Sequence, residues 1–243
     1  NYDSVADAAG AEKIIKTAVD TFGYIDILVN NAGILRDRMS FNMTTEEWDA
    51  VLKVHLYGNF YCSKYAGIMF RQQKRGGRII STSSVAALGN MGQANYAAAK
   101  AGILGLVYTF ALELGRYGVT ANGLFPAAAT RMTASKELQE AWDRQAATGS
   151  ITQEALSVRK TIMEMKPEAV AEVVAYLATD EAANINGYIF EIAGNRVSLF
   201  SKMAAITGII KKEGYWTCEE LSEYIPKTMG GYLINPSPPQ PSK

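Results

Sequence analysis

Histidine and cysteine are nearly absent from this chain, and that scarcity closes off several chemistries at once. The one histidine is His55, and the two cysteines, Cys62 and Cys218, stand far apart. They offer no metal-ligand spacing, which argues against a metal site, zinc above all, and suggests a reducing compartment. Net charge is absent too: 24 Lys and Arg offset 24 Asp and Glu, and no run of five like charges occurs. Neither nucleic acid nor an anionic membrane is therefore expected as a partner. No apolar run is read as reaching membrane-spanning length and no signal peptide is recognised, so a soluble intracellular protein is expected. Prolines are few until the end, where Pro236, Pro238, Pro239 and Pro241 mark residues 236–243 as a linker or disordered tail.

What is present fits one large α/β domain over residues 1–235. The 48% hydrophobic content is enough for a core. A helical period runs to Thr21, with Ala8, Ala11, Ile14, Ile15, Ala18 and Val19 on one face. Ile25–Val29 reads as a buried strand breaking into the turn Asn30-Asn31-Ala32-Gly33. Thr44-Thr45 and Glu46-Glu47 open a helix whose apolar stripe holds Trp48, Val51, Leu52 and His55. Gly76-Gly77 precedes a strand, Arg78–Thr82, and a helix carrying Tyr96 runs on to Tyr117-Gly118. A further strand, Val119–Phe125, is expected to stop at Pro126. Residues 127–166 read as an irregular or helical lid, Pro167 as a first helical position, Ile189–Ile192 as a strand and Thr217–Glu220 as a capping box. Strands alternating with helices imply right-handed crossovers and a parallel sheet covered on both faces.

The pair Tyr96 and Lys100 carries the chemistry. Four residues is about one helical turn, so phenol and ammonium share a face. A free tyrosine ionises near pH ~10, and a neighbouring cation is expected to lower that value toward the range useful for proton transfer. Ser83-Ser84 upstream adds a hydroxyl able to hold a carbonyl oxygen. These are the parts needed to interconvert a ketone and a secondary alcohol, with the hydride supplied by a cofactor. Alone, a tyrosine and lysine at this spacing are ordinary surface residues. His55 on an apolar face reads first as a hydrogen-bonded core residue, and second as support for a helix kink or a proton path.

A dinucleotide at the end of such a sheet normally needs a glycine-rich turn so that backbone amides reach the pyrophosphate. None precedes Asn30, and only 29 residues come before it. The sequence is expected to begin mid-fold, either because a segment is missing from it or because the protein lost one.

Asn30-Asn31-Ala32-Gly33, Ser83-Ser84, Tyr96-x-x-x-Lys100 and Asn122-Gly123-Leu124-Phe125-Pro126 stand in the order and spacing of the short-chain dehydrogenase/reductases. Within that family the chain resembles the (3R)-hydroxyacyl-CoA dehydrogenase domain of peroxisomal multifunctional enzymes and its bacterial single-domain relatives. The runs Asn31–Arg38 and Gly89–Tyr96 add to the likeness. The resemblance implies a Rossmann-like doubly wound parallel sheet lacking its N-terminal phosphate-binding unit. It implies NAD or NADP as cofactor, a small-molecule substrate of the 3-hydroxyacyl-CoA type, and a homodimer or homotetramer. Tyr96 would be the acid/base, Lys100 would lower its pKa and bind the nicotinamide ribose, and Ser83 would orient the substrate oxygen. Ser83 is favoured over Ser84 because it stands 13 residues before Tyr96, the common spacing, and not 12. Asp3 and Ser4 resemble residues beside the adenine. Asn30, Asn31, Ala32 and Gly33 resemble those lining the adenosine, and Pro126 and Thr130 those flanking the carboxamide. His55 stands where most members have asparagine, and Pro126-Ala127 where Pro-Gly is usual. The terminal Pro-Ser-Lys lacks the leucine of a peroxisomal address, which makes a cytoplasmic enzyme the default. The alternative reading is a non-catalytic subunit partnering an active homologue.

Overall fold

Asp7 begins the first helix: its carboxylate accepts the Gly10 amide at 2.7 Å, and Gly23, left-handed at φ 82°, closes it. This is α1, Ala8–Phe22. The computed structural model describes residues 1–130, 136–147, 149 and 151–236. After α1 come β1 (Ile27–Asn30), α2 (Thr45–Leu52), a single π turn (Lys53–Tyr57), α3 (Gly58–Gln73), β2 (Gly77–Thr82), α4 (Ala94–Leu114) and β3 (Val119–Ala127). Next are α5 (Lys136–Ala147), α6 (Gln153–Ile162), α7 (Glu168–Leu177), β4 (Ile189–Ala193), β5 (Arg196–Phe200) and α8 (Cys218–Thr228). The expected capping box at Thr44 is present in full, Thr44 Oγ1 accepting from the Glu47 amide and Glu47 from the Thr44 amide.

The sheet runs in chain order, β1-β2-β3-β4-β5. The first four strands are parallel, so their carboxyl ends gather at one end. On one face α3 and α4 cover the sheet, with α1 packed on α3. Ala11, Ile15, Cys62, Phe70, Phe110 and Leu114 close over Leu28, Ile79 and Ala121. On the other face Leu177 of α7 packs with Ile80, Leu124 and Ile192. A third cluster joins Ile103, Leu104 and Val107 of α4 to Phe125 and Ile189, and the Phe200 ring meets Phe125 edge-on at 4.9 Å.

Four expectations need correction. The sheet is not wholly parallel: β5 pairs antiparallel to β4 across a tight turn at Gly194 and Asn195. That two-residue Gly-Asn loop between apolar runs was the available signal. Second, β3 passes through Pro126, which pairs with Ile192. Because β2 ends opposite Leu124, the missing proline amide faces no partner on that side. Third, Pro167 is the cap ahead of α7, one residue before the first helical position. Fourth, the helical stretch Ala94–Tyr117 is, by length and composition, long and apolar enough to cross a membrane. Its apolarity has another cause, since Ala99, Ile103, Leu104, Val107, Phe110 and Leu114 are buried in the core.

The chain divides into two compact units, Asn1–Ser201 and Lys202–Lys243, a boundary well ahead of Pro236. In the second, the expected capping box forms at Thr217 and Glu220, and Lys211 pairs with Glu220 at 2.6 Å. Residues 237–243 of the expected tail lie outside the described residues.

Candidate active site

Tyr96 and Lys100 occupy the first turns of α4, where that helix meets the carboxyl end of β2. Lys100 is buried and donates to the Thr82 carbonyl at 2.6 Å. Burial pushes its pKa down to about 7, because a charge is costly in a poorly solvated site. Its Nζ stands 5.3 Å from the centre of the Tyr96 ring. The expectation that the ammonium lowers the phenol's pKa is not met. Burial drives Tyr96 upward, and the Asp37 carboxylate adds to the rise. The opposing influence is a hydrogen bond with Ser84, while Lys100 is engaged by a backbone oxygen.

The serines fall differently from the expected register. Ser83 shares the pleat of Ile79 and Ser81, which face the α3–α4 layer. It is fully buried, and its hydroxyl donates to the Lys100 carbonyl at 2.7 Å. A hydroxyl spent inside the core cannot hold a substrate oxygen. Ser84 is only partly buried, caps the turn Val85–Leu88 through the Ala86 amide, and lies near enough to Tyr96 to oppose the rise in its pKa. Of the two serines, Ser84 is the one whose hydroxyl is not turned to the Lys100 carbonyl. The period of two along β2 was the overlooked signal.

His55 lies on the π turn, an irregularity characteristic of functional helices. Its Nε2 is 2.8 Å from the Ile34 carbonyl and 3.1 Å from the Ile34 amide. The imidazole meets the Tyr96 ring edge-on at 5.1 Å. Burial first, then the Lys100 charge, push its pKa down to about 4, so it is neutral at pH 7. The imidazole thus wedges between the turn after β1 and the phenol. A Cβ on Gly33 would stand 2.6 Å from His55 Cε1. Gly33→Ala is accordingly expected to cost about 1–3 kcal/mol through overpacking. Chemical denaturation measures this, and a change below about 0.5 kcal/mol would mean that the ring yields freely.

These groups open onto one cavity of about 650 Å³, lined by Asn31, Gly33, His55, Thr82, Ser83, Ser84, Tyr96, Lys100, Pro126, Ala128 and Thr130. Six of the expected cofactor residues meet there: Asn31, Gly33, Tyr96, Lys100, Pro126 and Thr130. Asn31 is held by the Thr82 hydroxyl at 3.0 Å. Asn30 instead turns inward to Ser63 at 2.9 Å, and with Ala32 it borders an adjoining cavity of about 90 Å³ that shares Asn31, His55 and Thr82 with the larger one. Asp3 and Ser4 reach neither cavity: Asp3 pairs with Lys13 at 3.6 Å, and Ser4 accepts the Ala6 amide at 3.0 Å.

The larger cavity suits the nicotinamide–ribose end of a dinucleotide. It lies at the carboxyl ends of parallel strands. Its buried amine carries three donors and has one hydrogen-bond partner among the described residues, the Thr82 carbonyl.

Residues 3–194 match the family model described as Enoyl-(Acyl carrier protein) reductase. The chain belongs to the short-chain dehydrogenase/reductase family. It is 42% identical over 205 residues to a hydroxyacyl-CoA dehydrogenase of Mycobacterium tuberculosis, covering 81% of this chain and 60% of that protein. It is 38% identical over 213 residues to peroxisomal multifunctional enzyme type 2 of Mus musculus, covering 87% of this chain and 26% of that protein. The chain thus spans less than two thirds of both curated relatives. A crystal structure of a short-chain dehydrogenase from Mycobacterium avium superposes with a TM-score of 0.78 at 38% identity, over 95% of this chain and 73% of that one. The family's alternating fold and the order of its motifs match the architecture observed here.

Proposed function

We propose that this chain is the catalytic core of an NAD(P)-dependent oxidoreductase that interconverts 3-hydroxyacyl and 3-oxoacyl thioesters. One observation carries the reading: Ser84, Tyr96 and the buried Lys100 amine line a single cavity, with Ser84 near enough to the phenol to draw its pKa down. A substrate oxygen seated between Ser84 Oγ and Tyr96 Oη receives hydrogen bonds from both. In reduction, Tyr96 gives its proton to that oxygen as the carbonyl becomes an alcohol. In oxidation, the phenolate takes the proton back. Lys100 would help hold a nicotinamide cofactor, which would supply or accept the hydride. The upward displacement of Tyr96 keeps the phenol protonated at neutral pH, which favours reduction there and oxidation at higher pH. The name of the Mycobacterium tuberculosis hydroxyacyl-CoA dehydrogenase supports the acyl substrate class. Exposed Phe60 and Ile68 on α3 and Leu112 on α4 support self-association through those helices. With all three reactive groups on one cavity, nothing in the site favours a non-catalytic subunit.

Absorbance of reduced nicotinamide, followed with 3-oxoacyl-CoA and 3-hydroxyacyl-CoA substrates, tests the proposal, and absence of turnover with both would reject it. The two serines offer a sharper comparison. Ser84→Ala is expected to lower kcat by about 10²-fold, as for loss of one positioned donor. Ser83→Ala should leave kcat within about threefold while costing roughly 0.5–1.5 kcal/mol, the net worth of one hydrogen bond, since the Lys100 carbonyl keeps its place in the α4 ladder. The reverse pattern would restore Ser83 to the substrate.

A further inference from the structure

The start of α4 is capped in an unusual way. The first amides of any helix lack intrahelical acceptors, and the residue at the cap normally supplies one. Gln93 holds that position and makes no side-chain cap bond. Its amide is engaged outward, donating to Asp37 at 2.9 Å and accepting from Asn90 at 2.7 Å. The first-turn amide that matters most, that of Tyr96, is satisfied by Asn95 Oδ1 at 2.7 Å. Asn95 has no exposed surface, and its Nδ2 donates to the carbonyls of Arg36 and Glu47, both at 3.0 Å. One side chain therefore ties the Tyr96 backbone to the segment following Gly33 and to the first turn of α2. Both anchors are themselves held: the Arg38 amide bonds the Gly92 carbonyl at 2.8 Å, and the Arg38 guanidinium spans both Glu47 oxygens at 2.7 and 2.9 Å. Glu47 completes the capping box of α2.

We propose that Asn95 is a positioning residue: by joining the Tyr96 amide to Arg36 and Glu47, it sets where the phenol meets Ser84. This rests on the reading of Tyr96 as the acid/base. It goes further by placing the control of that group in a side chain that touches neither substrate nor cofactor. The anchored segment also carries Asp37, whose carboxylate acts on the phenol, so loosening the clamp moves the charge and the acid apart together.

Asn122 supplies the control. It is equally buried and doubly bonded, to the Ile185 carbonyl at 2.6 Å and the Tyr188 amide at 3.0 Å, but has no tie to Tyr96. In the full chain, Asn95→Ala is expected to lower kcat by about 10–100-fold, in line with small misplacements of reacting groups, with KM little changed. The pH–rate limb belonging to Tyr96 should shift as well. Asn122→Ala should lower thermal stability comparably and leave kcat and that limb in place. Hydrogen exchange gives a readout independent of turnover: the Tyr96 amide should be protected in the parent and lose at least about tenfold of that protection (~1.4 kcal/mol) in Asn95→Ala. Should that variant fail to fold, Asn95→Asp keeps the acceptor and loses the two donors, and should show the same kinetic loss with the Tyr96 amide still protected. Equal kinetics for the Asn95 and Asn122 variants, or an unprotected Tyr96 amide in the parent, would overturn the proposal. A parent without turnover but with a protected amide lost in Asn95→Ala would overturn the catalytic reading and leave the clamp standing.

Discussion

Tyr96→Phe should reduce kcat/KM by about 10³-fold or more while the fold and dinucleotide affinity remain. The substitution removes one oxygen. On the proposed reading that oxygen carries the proton, whereas the ring keeps its edge-on contact with His55 at 5.1 Å. General acid–base catalysis by a placed group contributes about 10²–10⁴-fold, and loss of the paired hydrogen bond to the substrate oxygen adds to it. Steady-state rates in both directions, with fluorescence titration of the dinucleotide, separate the two effects. A variant retaining more than about a tenth of the parent rate, well above that range, would show that another group moves the proton.

The second large effect concerns Lys100. With its folded pKa at about 7 against an ordinary 10.5, the folded chain binds fewer protons than the unfolded one between those values. Stability therefore rises with pH across that window, by up to about 1.4 kcal/mol per pH unit, and is lost as pH falls toward 7. His55 acts with the same sign at lower pH. Held at about 4 against 6.5, it withdraws stability as pH drops through that interval. Lys100→Met should remove the upper window. At pH 7 it should raise stability by about 1–4 kcal/mol, the range found when a buried charge is replaced by an apolar side chain of similar volume. Activity should be lost with it if, as proposed, the amine helps hold the cofactor. Urea denaturation at pH 6, 7, 8 and 9 on parent and variant reads both predictions. A parent curve flat over that span would mean that Lys100 keeps its ordinary pKa in the fold.

Much of the fold was legible because local signals agreed with tertiary demands. Thr44 with Glu47, and Thr217 with Glu220, formed the capping boxes their spacing predicts. The apolar runs around Leu28, Ile79 and Val119 became strands because both faces of the sheet are covered there. The misses share one cause: they depend on what lies across from a residue. Pro126 stays in its strand only because β2 has already ended. Tyr96 and Lys100 were correctly placed on one helical face, yet their electrostatics follow burial and the Thr82 carbonyl, which no helical spacing reveals. Counting residues back from Tyr96 favoured Ser83, whose hydroxyl bonds the Lys100 carbonyl, a tie that no spacing reveals. Asn95 gave no signal at all, because its partners Arg36 and Glu47 come from segments some fifty and more residues away.

A solitary imidazole pinned in its uncharged state deprives the molecule of the usual sensor of mildly acidic surroundings. Modest acidification of the medium leaves that ring silent, because burial keeps it uncharged well below neutrality.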